Sequence, residues 1–124
     1  MRKALFGVVA LSGLLALGLA GSVMANSAVR GDAPAMMASP QMIVLAKVSS
    51  VTIHTNIPYS TVVPASVELN GVAAAGVWAD DCGHLVARFG TAALGLVPGK
   101  VTLTLTGTFE DGNTFTATDE VRVK

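Results

Sequence analysis

The chain has 124 residues, with eight Lys and Arg against eight Asp and Glu, two His and a single Cys. That length suits one small domain, the balanced charge excludes a strongly basic nucleic-acid surface, and one cysteine cannot staple its own chain. The 52% hydrophobic content is inflated by the first 25 residues, so it does not make the remainder a membrane protein.

Arg2 and Lys3 precede an uncharged run from Ala4 to Ala25 that closes on Val23-Met24-Ala25. A short basic start, an apolar stretch and compact residues at the end are the layout of a secretory signal peptide, so residues 1–25 are read as a leader cleaved after Ala25. The same run is long enough to span a bilayer, and retention as an anchor is the alternative. No cysteine follows it for lipid attachment. Of the eight basic residues two lie in the leader, leaving six against eight acidic ones. The expected setting is secreted or periplasmic, with no membrane insertion once the leader is gone.

Residues 26–41, NSAVRGDAPAMMASPQ, show no hydrophobic period and are rich in Ala, Ser, Pro and Gly, which reads as a flexible spacer. Arg30-Gly31-Asp32 matches the integrin-binding tripeptide, but three common residues carry little weight. Met36, Met37 and Met42 are soft copper-type ligands that lack an accompanying histidine-methionine repeat.

From Met42 onward the chain reads as strands. Val51 and Ile53 alternate with Thr52 and His54, the period of a sheet with one buried face. Prolines 58 and 64 interrupt, as they must at an edge or crossover. SVELNGV is a strand ending at an Asn70-Gly71 turn, GVWA and LVARF are two more, and ALGLVPG is a connection closing on Pro98-Gly99. No helical period of useful length is present.

The terminal segment invites a register. Val101, Leu103, Leu105 and Phe109 alternate with threonines 102, 104, 106 and 108, and Phe115, Ala117, Val121 and Val123 alternate with Thr116, Thr118, Glu120 and Arg122. A two-residue loop at Asp111-Gly112 sets apolar against polar along the ribbon. A three-residue loop, Asp111 to Asn113, pairs Phe109 with Phe115, Gly107 with Ala117, Leu103 with Val121 and Val101 with Val123, and is expected for that reason. It also aligns Thr108 with Thr116 and Thr106 with Thr118. Asp119 then falls opposite Leu105 on the buried side. An unpaired carboxylate there is costly, so either a bulge turns it outward or it accepts hydrogen bonds from loop amides, the second being favoured.

The densest chemistry lies in VWADDCGHLVARF, residues 77–89. Aspartate first and glycine fourth in Asp80-Asp81-Cys82-Gly83 are the marks of a type I turn, here a hairpin loop. His84 should point with Val86 and Arg88, opposite Leu85, Ala87 and Phe89. A periplasmic metal site built on the Asp80–His84 loop is the alternative, weakened because tight sites need three or four converging ligands and His54 is expected on a distant strand. Two aspartates are too few for calcium. No G-x-S-x-G elbow, H-E-x-x-H helix or phosphate-cradling loop is present; Cys82 beside His84 lacks the third orienting group of an activated nucleophile.

VTIHTNIPYSTVVPASVELNGV, ADDCGHLVARF and VPGKVTLTLTGTFEDGNTFTATDEVRV together resemble the immunoglobulin-like β-sandwich repeat of secreted and surface proteins in bacteria and archaea. The shared pattern is an S-V-x-L-N-G strand, an acidic turn leading to L-V-x-K-F, and a closing V-T-L-T-x-T-G, D-G, F, D-x-I-R-V hairpin, over residues 46–124. The resemblance implies the fold and an exported setting without fixing an activity. The family's longer acidic loop is reduced here to Asp80 and Asp81, and Gly90-Thr91 replaces an acidic-basic pair after Phe89.

The expected protein is therefore all-β: a leader (1–25), a linker (26–41) and an immunoglobulin-like sandwich (42–124) of about seven strands. Trp78, Phe89, Phe109 and Phe115 are its expected large core residues; Trp78 facing solvent would instead mark a binding patch. No catalytic residue, metal ligand or cofactor is assigned. The expected function is contact with a protein or surface partner at the cell envelope, through a sheet edge or the flat threonine face of the last hairpin.

Overall fold

The computed structural model describes residues 33–124; the expected leader, the Arg30–Asp32 tripeptide and the first part of the expected spacer lie outside them. Among the described residues nine strands are formed: β1 Met36–Ser39, β2 Met42–Ile43, β3 Ser50–Pro58, β4 Glu68–Leu69, β5 Val72–Ala73, β6 Gly76–Ala79, β7 His84–Gly90, β8 Gly99–Thr108 and β9 Thr114–Val123. Single helical turns at Tyr59–Thr61, Pro64–Ser66 and Thr91–Leu94 join them. One sheet has the order β2-β9-β8-β4-β5 and the other β1-β3-β7-β6, and the two pack as a β-sandwich.

Alternation decides what is inside. Val51, Ile53 and Ile57 of β3 and Leu85, Ala87 and Phe89 of β7 meet Leu103 and Leu105 of β8 and Phe115, Val121 and Val123 of β9 in one core. Phe89 is wholly buried, a contribution of about 1.5–3 kcal/mol for a side chain of that size. Thr55 follows Ile53 inward, and its hydroxyl is satisfied, donating to the Leu85 carbonyl at 2.8 Å and accepting from the Ile57 amide at 3.1 Å.

The stretch read as a spacer ends earlier than expected. Met36–Ser39 is already strand, antiparallel to Thr52–Thr55 of β3, and Ala38 is buried. Past Pro40 the chain changes sheets: β2 runs parallel to β9, with Met42 beside Arg122 and Ile43 beside Val123. One N-terminal segment thus joins both layers, so packing is not their only connection. Its four-residue strand buries only Ala38 fully, too little to show a period in the sequence.

Asp119 holds this crossing. Its Oδ2 accepts from the Ala38 amide at 2.9 Å and from Gln41 Nε2 at 2.8 Å, while Oδ1 accepts from the Glu120 amide at 2.9 Å. The favoured expectation holds in kind, since amides satisfy the carboxylate, but the donors are Ala38 and Gln41 of the crossing segment and the neighbouring Glu120. Partial burial pushes the Asp119 carboxyl up, and the hydrogen bonds from Ala38, Gln41 and Glu120 outweigh it, leaving the group below the ordinary aspartate value.

The terminal hairpin corrects the expected register by two residues. Observed pairs are Thr108 with Thr114, Gly107 with Phe115, Leu105 with Ala117, Leu103 with Asp119 and Val101 with Val121. The loop has three residues, as expected, but they are Glu110 to Gly112: the Phe109 amide bonds the Asn113 carbonyl and the Gly112 amide bonds the Phe109 carbonyl. A type I turn followed by a bulge needs its third loop residue in the left-handed region, and Gly112 supplies φ +92°. The slip is even, so every side chain keeps its expected face. Phe115 now lies across the strand from Gly107, where an added Cβ would sit within 2.6 Å of Phe115 Cε2 and closer still to Cζ. The Phe109 and Phe115 rings meet diagonally, 5.1 Å between centroids.

Two outcomes test these points. Gly107→Ala should lower stability by about 1–3 kcal/mol through overpacking, with Phe115→Leu in the same background recovering part of the loss in urea unfolding. Asp119→Ala should cost about 1–3 kcal/mol near neutral pH from the unsatisfied amides. Because the folded carboxyl ionises below its unfolded value of about 3.9, its contribution is complete above that value and is lost as pH falls through the folded one. The variant should therefore show a flatter dependence of stability on pH in acid.

Candidate functional site

The acidic loop resolves into a turn. Asp80 Oδ1 accepts from the Cys82 amide at 2.8 Å and the His84 amide at 2.9 Å, the Gly83 amide bonds the Asp80 carbonyl at 2.9 Å, and Gly83 takes φ +82°. Asp80 and Gly83 occupy the positions the sequence gives them. The His84 amide, together with the Cys82 amide and the nearby His84 and His54 rings, holds the Asp80 carboxyl below the ordinary aspartate range against a desolvation cost. Cys82 is exposed and unpaired as a thiol. His54 is nearer than expected: it sits on β3, the strand adjoining β7, opposite Val86. Even so, among the described residues no three His, Cys, Asp or Glu side chains converge as a metal site.

The outer face of the four-stranded sheet carries a different constellation. Met37 of β1 pairs with His54 of β3, His54 with Val86 of β7, and Val86 with Trp78 of β6. These four residues form one transverse row across all four strands. Trp78 is 41% exposed and Met37 61% exposed. The expectation that Trp78 fills the core is corrected: Val77 turns inward against the core and Trp78 outward. Val86, expected on the wet side with Arg88, is indeed on that face yet only 1% exposed. Its direct cross-strand neighbours His54 and Trp78 shield it, making a small apolar centre outside the main core.

The next row runs Ser39, Thr52, Arg88 and Gly76. Gly76 has no side chain, and a Cβ there would lie 3.5 Å from Trp78 Cζ3 and 3.7 Å from Arg88 Nη2. The indole and the guanidinium thus share the space above one glycine. Large, rigid and amphipathic groups around a dry centre are the composition that contact surfaces favour.

Two other features are poorer. The threonines of β8 and β9 do line one wet face, Thr104 beside Thr118 and Thr106 beside Thr116, but threonine is simply well suited to a solvated strand. A shallow depression of about 340 Å³ lies between Leu45, Val48, Thr91 and Leu96. The Thr91 hydroxyl is buried there without a hydrogen-bond partner. One hydroxyl lacks the converging polar groups that orient a specific ligand.

Trp78 is the only tryptophan of the chain, so its emission reports this face alone. At high dilution the native protein should be readily quenched by iodide, and unfolding should change that quenching little; emission resistant to iodide would return the indole to the core. Comparisons with protein-family models, with curated proteins and with solved structures find no match to this chain.

Proposed function

We propose that this chain is an exported, non-enzymatic module of immunoglobulin type that acts by contact at the cell envelope or surface. The outer face of its four-stranded sheet is the contact surface. The immunoglobulin-like topology is supported by the N-terminal segment divided between the sheets, by the strand orders β1-β3-β7-β6 and β2-β9-β8-β4-β5, and by the terminal hairpin. Export is supported by the basic-apolar leader of residues 1–25.

The single observation that carries the contact reading is the exposed row of Trp78, His54 and Met37 around the buried Val86. Leaving an indole in water forgoes about 25 cal/mol for each Å² of apolar area, a cost that a partner removes on docking. A non-enzymatic role is supported by the commitment of Asp80, the most functional-looking carboxylate, to two amides of its own turn.

Affinity capture from the envelope fraction, with the purified protein as bait, tests the reading. Trp78→Ala should remain folded, at a midpoint lowered by the uncovering of Val86, and deplete the captured partner at least tenfold, as expected for a central aromatic anchor worth roughly 1.4 kcal/mol or more. Equal capture by both proteins would move the contact surface elsewhere.

A further inference from the structure

We infer that the Trp78 end of this face contacts a second copy of the chain, joined edge to edge along β6 so that two four-stranded sheets become one of eight strands, with His54 and Met37 left outside the contact. The inference rests on the contact reading above and names its partner. β6 is the last strand of its sheet. The Asp80 amide bonds the His84 carbonyl, and Trp78 pairs with Val86 two residues on. By the alternation of an antiparallel ladder, the main-chain groups of Val77 and Ala79 therefore point away from β7, and no described residue pairs with them.

This edge lacks charge and proline, and its one irregularity, the Ala75 amide bonded to the Arg88 carbonyl that Gly76 already faces, lies before Val77. Natural sheets protect edges with charge, proline or bulges, yet from Leu69 to Ala79 there is neither a charged residue nor a proline. An antiparallel copy related by a two-fold axis at Trp78 sets Val77 against the second copy's Ala79, and the reverse. The four outward amides and carbonyls on each side then bond in two reciprocal pairs. Trp78 meets the second copy's Trp78 in the position without main-chain bonds, where facing side chains are closest.

The charges match as well. In this register Gly76 lies opposite the second copy's Asp80. The Arg88 guanidinium occupies the space above Gly76, so it projects toward that carboxylate, whose Oδ1 is taken by the turn amides while Oδ2 accepts nothing from the described residues. Symmetry makes the pair twice. A slip of one residue turns Trp78 against the inner face, and a slip of two separates Arg88 from Asp80. Three independent features, the open edge, the indole and the ion pair, select one register. The contact is small and belongs to the weak class below about 1,200 Å².

Sedimentation equilibrium of the purified protein over a concentration series, with Trp78 emission followed in parallel, tests this. A dimer should form with rising concentration, accompanied by a blue shift and loss of iodide quenching. Ala79→Pro removes an outward amide and no internal bond, and Arg88→Glu reverses an exposed charge; each should weaken dimerisation at least tenfold with the unfolding midpoint held. The second variant keeps the test intact should proline strain the turn. A monomer at all concentrations, or a dimer indifferent to both changes, overturns the inference. If the monomer still captures an envelope component through Trp78, only the second copy is wrong; if that capture also fails, the contact reading falls with it.

Discussion

The two inner sheet faces have only each other to bury them, and the rest of the molecule follows from that constraint. With one exposed cysteine among the described residues, no covalent bond can tie layer to layer, so Phe89, Leu103, Leu105 and their neighbours supply the attraction. Burial is not directional, however. It draws the layers together without fixing how one lies over the other. The N-terminal segment adds that direction, because β1 belongs to one sheet and β2 to the other, and Asp119 fastens the step between them through the Ala38 amide and the Gln41 side chain. A carboxylate at a position that alternation assigns to the core is thus the price of a chain that changes layers.

Alternation made most of this legible. The inward set of β3, β7, β8 and β9 can be read from VTIHT, LVARF and the terminal threonine ribbon without coordinates, since a period of two leaves only the choice of face. Register is harder, because matching like with like constrains parity and little more. Both the expected and the observed pairing of β8 with β9 keep apolar beside apolar. The deciding element is a single glycine. Asp80-Asp81-Cys82-Gly83-His84 and Phe109-Glu110-Asp111-Gly112-Asn113 form the same loop, glycine fourth and left-handed in each. Reading the first by its glycine and the second by its hydrophobic match produced one correct loop and one displaced by a residue.

The exposed tryptophan was legible by the same route. Once Asp80 faces His84, counting back along both strands sets Trp78 against Val86, on the side opposite Leu85 and Phe89. Aromatic bulk argues for the core and strand parity argues for the surface, and parity wins because a rigid sheet cannot rotate one residue inward. The row it belongs to was not legible. Met37 enters through β1, whose four residues carry no period, and the burial of Val86 depends on two flanking side chains from strands remote in sequence. Contacts made across a sheet are written in the register of several strands at once, and no single stretch of sequence holds them.

The edges of the two sheets are managed unequally, and the difference has a direction. β2 is two residues long and continues directly into the N-terminal crossing, and β5 is also two residues, so neither offers a template of useful length. Where β8 extends beyond β4, Asn70 of the β4–β5 turn covers its first residue by accepting from the Thr104 amide at 2.8 Å, and the strand carries Lys100 further out. β1 exposes Met37, but its Ala38 amide, on the side away from β3, is taken by the Asp119 carboxylate at 2.9 Å. β6 has none of these devices. Its run of alanines, glycine, valine and tryptophan is bordered by charge only at Asp80 and, across the sheet, at Arg88. A random exposed edge would put any charge there; an acid just past one end of a four-residue strand and a base reaching over its other end from β7 are self-complementary under two-fold rotation, which is a property a protected edge does not need and a pairing edge does.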